Sequence, residues 1–175
     1  MQFGKLQFQL GAEHPELAAE TTGQAIKELS LAEAYIAAID GSLADTAAFC
    51  EHYDIGLDAS ANCVIVEARR ADKTWYAACM ILATDKIDVN GAVRRHLDAR
   101  KISFAPMETA TGLTGMQYGG ITPIGLPADW PILIDSRVDA TKQIVIGSGI
   151  RGSKILVPGH LLATLPNACI LDIAK

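Results

Sequence analysis

The chain has 175 residues, half of them apolar, with a formal net charge of −5. That content supports one ordinary domain with a full core and excludes a disordered chain. The longest apolar run, "YAACMILA" (76–83), is far short of the roughly 20 residues of a membrane span, and the N-terminus has no secretory pattern, so a soluble cytoplasmic protein without a membrane partner is expected. The four cysteines and four histidines are scattered without metal-ligand spacing, which predicts buried structural thiols and no metal. Charge is uneven. Residues 1–60 hold two lysines against ten carboxylates, whereas Arg69, Arg70, Lys73, Lys86, Arg94, Arg95, Arg100 and Lys101 crowd one later segment that could meet phosphates locally.

In chain order, "KLQFQL" alternates like a first strand. "HPELAAETTGQAIKELS" is rich in helix formers, and "AYIAAID" reads as a buried strand. "SLADTAAFCEHYDIG" is expected to be a helix capped by Ser42 and ending near Gly56. "ANCVIVEARR" and "KTWYAACMILA", separated by "RADK", predict a hairpin. "DVNGAVRRHLDAR" is expected as a helix, "KISFA" as a strand and "PMETATGLTG" as a short helix stopped by glycine. After the Gly/Pro-rich stretch come the strands "ILIDS", "QIVIG" and "KILV", a brief helix "GHLLATL" and a last strand "ACILDI". There is no linker or repeat, so residues 1–175 are read as one domain. Helices and strands without regular alternation predict an α/β fold with a mixed curved sheet, or a partly closed barrel, surrounded by helices.

"GSGIRG" (147–152) has the G-x-G-x-x-G spacing of a dinucleotide-binding turn, with Asp172 about 20 residues beyond. That turn needs a helix to begin inside the glycines. Here "KILV" and then Pro158 follow, so the glycines are expected in a strand-to-strand turn, and no cofactor is expected. "LTGMQYGGITPIGLP" (113–127) carries the stronger signal. Gly119 and Gly120 permit positive φ and close approach to main-chain amides, and Pro123 and Pro127 stiffen the second half of the loop; long loops of fixed conformation tend to be functional.

In this order, "DTAAFCEHYDIG", "ANCVIVEA", "ATDKIDV", "LTGMQYGGITPIGLP", "ILIDS" and "GSGIRG" resemble the YbaK family, aminoacyl-tRNA deacylase domains similar to the editing domain inserted in bacterial prolyl-tRNA synthetases. The resemblance covers about residues 43–173; residues 1–42 are less typical. It implies hydrolysis of the ester joining a wrong amino acid to the 3′ end of tRNA, with aminoacyl-tRNA as partner and a synthetase as a second one. Such correction is needed because a missing methylene is worth only about 1–3 kcal/mol in a synthetase pocket. By the same resemblance Gly119, Gly120 and Pro123 belong to the loop that holds the aminoacyl end, its backbone donors stabilising charge while a water attacks. Thr46, Asp135, Gly149 and Gly152 match further family positions: Thr46 on the amino-acid pocket, Asp135 on the substrate's ammonium group or simply holding a turn, and the glycines in a turn framing the site. Arg151, inside that turn, is a candidate phosphate contact.

One position departs. Where the family carries a lysine on the strand after its Thr-Ala helix, this chain has Asn62, a neutral hydrogen-bonding group. Three readings stay open: a free-standing deacylase using Gly119, Gly120 and Asn62, an idle relative that binds an aminoacyl end, nucleotide or synthetase, and a small-ester hydrolase with the same loop.

Overall fold

A computed structural model describes residues 1–175. The expected first strand is broken by a turn at Gly4–Lys5: β1 (Gln2–Phe3) pairs antiparallel with β2 (Leu6–Gln7), and β3 (Gln9–Leu10) joins another sheet. Gly4, at φ +55°, permits that turn. The following segment is less helical than its composition suggests. Pro15–Leu17 is one 3-10 turn, and α1 is confined to Glu20–Glu28. β4 (Tyr35–Ala38) and α2 (Thr46–Tyr53) come next. The cap of α2 is Asp45; Ser42 lies in a separate 3-10 turn, Gly41–Leu43, whose amide it offers to Asp40. The helix stops at Asp54 in the left-handed conformation (φ 56°), two residues before the expected glycine.

The hairpin is as the sequence predicts: β5 (Ala61–Arg70) and β6 (Lys73–Leu82) pair residue for residue from Ala61–Leu82 to Arg70–Lys73. The helix expected over 88–100 is shorter. A π-turn at Val89–Val93 runs into α3 (Arg94–His96), and the Asp88 carboxylate accepts from the amides of Gly91 and Ala92. Those two bonds hold Asp88 below the usual carboxylate range. β7 (Lys101–Phe104) and α4 (Met107–Thr114) follow, and Gly115 ends α4 at φ +68°. β8 (Ile132–Asp135) turns directly into a short α5 (Ser136–Ala140) that the sequence pattern does not predict; the Asp135 carboxylate caps it through Arg137 N–H. β9 (Ile144–Gly147), β10 (Ser153–Val157), a 3-10 segment over Gly159–Thr164 and β11 (Ala168–Leu171) complete the chain.

These strands build a mixed α/β fold with two principal sheets. One has the order β3-β4-β10-β9 and is antiparallel; the other is β11-β8-β6-β5-β7, with β11, β8 and β6 parallel and β6, β5 and β7 antiparallel. A parallel bridge from Ser60 to Val145 joins the sheets, giving the curved, incompletely closed arrangement expected. Strand alternation distributes the core. Ala78 and Met80 of β6 pack with Ile36, Ile134, Ile146 and Ile155 between the sheets, while Ala77, Cys79 and Ile81 pack on the other side with Val66, Val93 and Leu133. Burial on both faces explains why β6 reads as a continuous apolar run. A third cluster, Phe8, Phe49, Val145 and Leu156, seats α2 on the outer face of the four-stranded sheet. Truncating a fully buried residue such as Phe49 to Ala should cost about 3–5 kcal/mol.

Incomplete closure positions the site. β5 pairs with β7 from Val66 onward, with Ala105 N–H adding a bond to Ile65 O, and Ser60, the residue before β5, bridges to Val145 of β9. Between those points its edge is uncovered, and a cleft opens there.

Candidate functional site

The cleft has a volume of about 640 Å³. Its floor is Ala61–Ile65 of β5, and segments from α2, β10, the glycine-rich loop, the β9–β10 turn, β7 and α4 close around it. The first turn of α2, with Asp45 and Thr46, forms one side together with Lys154 of β10. Tyr118, Gly119 and Ile121 of the glycine-rich loop, with Gly147 and Arg151, form the other. Phe104 and Met107, at the end of β7 and the start of α4, stand at the mouth and are more than half exposed, as is Tyr118.

On the side-chain wall the Thr46 hydroxyl donates to Asn62 Oδ1 at 2.6 Å. The bond occupies the carboxamide oxygen and leaves the Asn62 amide protons to donate elsewhere. Lys154 is almost wholly buried, at 8% exposure, and has no carboxylate partner. Its Nζ donates to the Ala44 carbonyl at 3.2 Å and lies 5.1 Å from the centre of the Phe49 ring. Burial pulls its pKa below the usual lysine value, with nearby Arg151 adding to the shift and Cys50 and Asp45 opposing it. Alternation explains the burial: Lys154 shares its face of β10 with Leu156, beneath α2, at the end of the strand nearest the cleft. Asp45 is the one carboxylate in the lining. Cys63 also lines the cleft, but burial pushes its thiol so far up that it is a neutral wall group and no nucleophile.

The opposite wall is backbone. Gln117 N–H donates to Gly149 O at 2.9 Å, and Gly149 N–H to Gly120 O at 2.6 Å, so the loop and the β9–β10 turn are laced together. The turn adds Arg151, whose N–H donates to Gln117 Oε1 at 2.8 Å and whose Nη1 donates to Tyr118 O at 3.2 Å. This lacing needs glycine twice. A Cβ on Gly120 would stand 2.6 Å from the Ile150 carbonyl, and Gly149 sits at φ +88° against the Ala19 side chain. "GSGIRG" is therefore the turn of a β-hairpin, with no helix entering it.

The fold gathers Thr46, Asn62, Gly119 and Arg151 around the cleft and keeps the other expected residues out of its lining. Gly120 lies directly behind it, its N–H already given to Gln117 O at 3.0 Å. Along this wall the amides of Tyr118, Gly119 and Ile121 have no acceptor inside the protein. Pro123 is buried in the second half of the loop, and Gly149 and Gly152 belong to the supporting turn. Of the two roles open to Asp135, its surroundings fit the holding of a turn and leave no oxygen for an ammonium group. It is 1% exposed, and its oxygens accept from Arg137, Ile173 and Ala174 N–H at 2.9–3.0 Å, so its carboxylate ties the C-terminus to β8 and α5. Sequence reasoning missed Lys154, Asp45 and Ile121. The lysine's signal was a lone cation inside the apolar strand "KILV", where a charge has to find a polar outlet.

The aminoacyl-tRNA editing domain model matches residues 40–165. Among solved structures the chain is similar to a candidate trans-editing enzyme for prolyl tRNA synthetase, at TM-score 0.77 and 14% identity, covering 90% of this chain and 96% of that one. It is also similar to the hypothetical protein APE2540, at TM-score 0.79 and 15% identity over 89% and 99% of the two chains. A scaffold protein used for epitope backbone grafting matches at TM-score 0.77 and 13% identity, over 90% and 97%. At these identities the structures attest the shared fold.

Proposed function

The chain belongs to the aminoacyl-tRNA editing domain family, and we propose that it hydrolyses the ester of a mischarged tRNA in the cleft beside β5, as a free-standing deacylase. The observation that carries this reading is the pairing of two unlike walls around one space: unbonded amides of Gly119 and Ile121 on one, and Asn62, Lys154 and Asp45 on the other.

The reaction needs a water to attack the ester carbonyl, charge to collect on the carbonyl oxygen, and the ribose oxygen to leave with a proton. Amides fixed by their surroundings suit the developing oxyanion because they need no reorganisation as charge appears. The lacing of 117–120 to 147–151 supplies that fixity. Asn62 Nδ2 is a donor for the substrate or the attacking water, held by Thr46. Lys154 brings the positive charge that the resemblance would place at position 62, from a different strand. Asp45, in place of Asp135, is the carboxylate available to an amino acid's ammonium group. Thiol chemistry has little room here, since the Cys63 thiol stays protonated.

Asn62 keeps an idle binding module as the second reading. Hydrolysis of alanyl- and cysteinyl-tRNA(Pro), with Ser- and Thr-charged species, by wild type and Asn62→Lys separates the two. Turnover by wild type supports the deacylase and names its amino acid. Silence in wild type with turnover in Asn62→Lys identifies a site that binds but has lost its catalyst.

A further inference from the structure

Residues 1–39 precede the region that the editing-domain model matches, and none of them lines the cleft. They back its amide wall. Ala19 N–H donates to Ser148 O at 3.0 Å and the Ser153 hydroxyl to Leu17 O at 2.5 Å. These two bonds fasten α1, and the 3-10 turn before it, to the β9–β10 turn. Thr22, fully buried on α1, reaches the glycine-rich loop itself: its hydroxyl donates to Ile124 O at 2.9 Å. The same oxygen lies 3.0 Å from where a Cβ on Gly149 would stand. Thr22 therefore sits where loop and turn meet, and Gly125, at φ +95°, brings the next stretch of loop against Thr21.

A threonine inside a helix ordinarily turns its hydroxyl to the carbonyl one turn back. Thr111 and Thr114 of α4 do so, donating to Met107 O and Ala110 O. Thr22 instead gives its proton across 102 residues of chain, and no other donor reaches the Ile124 carbonyl. A buried carbonyl without a donor is costly, so the loop stays where Thr22 can reach it. Pro123 fixes φ between Ile121 and this anchor. On the other side Gly120 is held by Gly149 N–H. Ile121 lies between the two anchors, Gly119 adjoins one of them, and Thr22 stands against both. We propose that Thr22 is a positioning residue of the site: by holding Ile124 O and backing Gly149, it fixes the amides of Gly119 and Ile121 where an oxyanion would form. The inference rests on the deacylase reading of the cleft, and adds to it a residue from outside the matched region.

The test pairs kinetics on a charged tRNA with the backbone N–H order parameters of Gly119 and Ile121, which report fixity without any turnover. Both amides should be rigid in wild type, at about 0.85, and fall below about 0.6 in Thr22→Val, with Thr22→Ser near wild type. Thr22→Ala removes the same bond without setting a methyl against the carbonyl, and gives the same reading should Thr22→Val not fold. In both hydroxyl-free variants kcat should fall about 10–100-fold, the scale set by small displacements of a catalytic donor. KM should stay within about 2-fold, because the lost interaction belongs to the transition state, and Thr22→Ser should recover kcat to within about 3-fold. Ile26→Val trims the buried face of the same helix and removes no hydrogen bond, so its melting point should drop while kcat and order parameters hold. Amides as rigid in the hydroxyl-free variants as in wild type, amides loosened equally in Ile26→Val, or loosened amides with kcat unchanged would overturn the proposal. A wild type that hydrolyses nothing contradicts the deacylase reading and leaves the order parameters to decide whether Thr22 holds the wall. Rigid amides in every variant, beside wild-type turnover, overturn the role of Thr22 and leave the deacylase standing.

Discussion

The two walls of the cleft are built by opposite means. The wall of residues 117–121 and 147–151 works through main-chain groups, fixed by hydrogen bonds between two loops and by glycines that let the loops touch. The wall of Asp45, Thr46, Asn62 and Lys154 works through side chains presented by a helix start and two strands. Main-chain groups tolerate no Cβ where the loops meet but are indifferent to most other chemistry. Side chains can be exchanged between strands, provided a charge or donor reaches the same space. A lysine position occupied by Asn62 and a lysine arriving from β10 are what that freedom permits.

The comparison is broken most severely from the backbone side. Gly149→Val places a β-branched residue at φ +88° with its Cβ against Ala19. Strain of this kind costs about 1–3 kcal/mol before the clash is added, so the unfolding midpoint should fall by several degrees. Hydrolysis should fall about 100-fold or more, which thermal melts and initial rates would check together. On the side-chain wall, Lys154→Met should keep the fold, because it replaces a buried unpaired cation with an apolar chain of similar length. Its kcat/KM should drop about 10–100-fold.

The same lysine predicts a pH dependence. Its folded pKa lies below its ordinary value of 10.5, so the unfolded chain binds more protons than the folded one between those two values. The stability contribution is therefore lowest below the folded pKa and rises with pH through that window. Catalysis should run the other way. After subtraction of uncatalysed ester hydrolysis, kcat/KM of wild type should decline on an alkaline limb that begins below 10.5. Lys154→Met should lack that limb; a limb persisting in the variant would assign the titration to another group.

Smaller effects sharpen the picture. Thr46→Val and Asn62→Ala should each weaken hydrolysis, and the double variant should be no worse than the poorer single one, since each removes the same 2.6 Å bond. A coupling of about 0.5–1.5 kcal/mol is expected from the cycle of rates. Cys63→Ala should change the rate less than about 2-fold, because the neutral thiol only walls the cleft.

Legibility in the sequence divides along the same line. The hairpin β5–β6, the loop 113–127 and the turn 147–152 could be read because alternation, glycine and proline are local signals with local causes. The broken first strand, the short α1 and the π-turn at 89–93 departed from expectation, since propensity there competes with packing and with capping by Asp88. Site residues divided by whether their role is local. Thr46, Asn62, Gly119 and Arg151, each named from a local motif, line the cleft. Asp135 stands at the end of its strand as expected, but its partners are the amides of residues 173 and 174, contacts that no spacing in the sequence encodes. Lys154 and Asp45 meet in the cleft across more than 100 residues of chain, and only the pairing of β10 with β4 and β9 brings that lysine beneath α2.

The most direct test is hydrolysis of the mischarged tRNA panel by the wild-type chain beside Gly120→Val. That substitution drives a side chain into the Ile150 backbone and displaces the loop carrying Gly119 and Ile121. The account predicts multiple turnover of at least one charged tRNA by wild type, and a loss of about 100-fold or more in the variant. Equal hydrolysis by both proteins would place the chemistry outside this cleft, and no hydrolysis by wild type would contradict the deacylase itself.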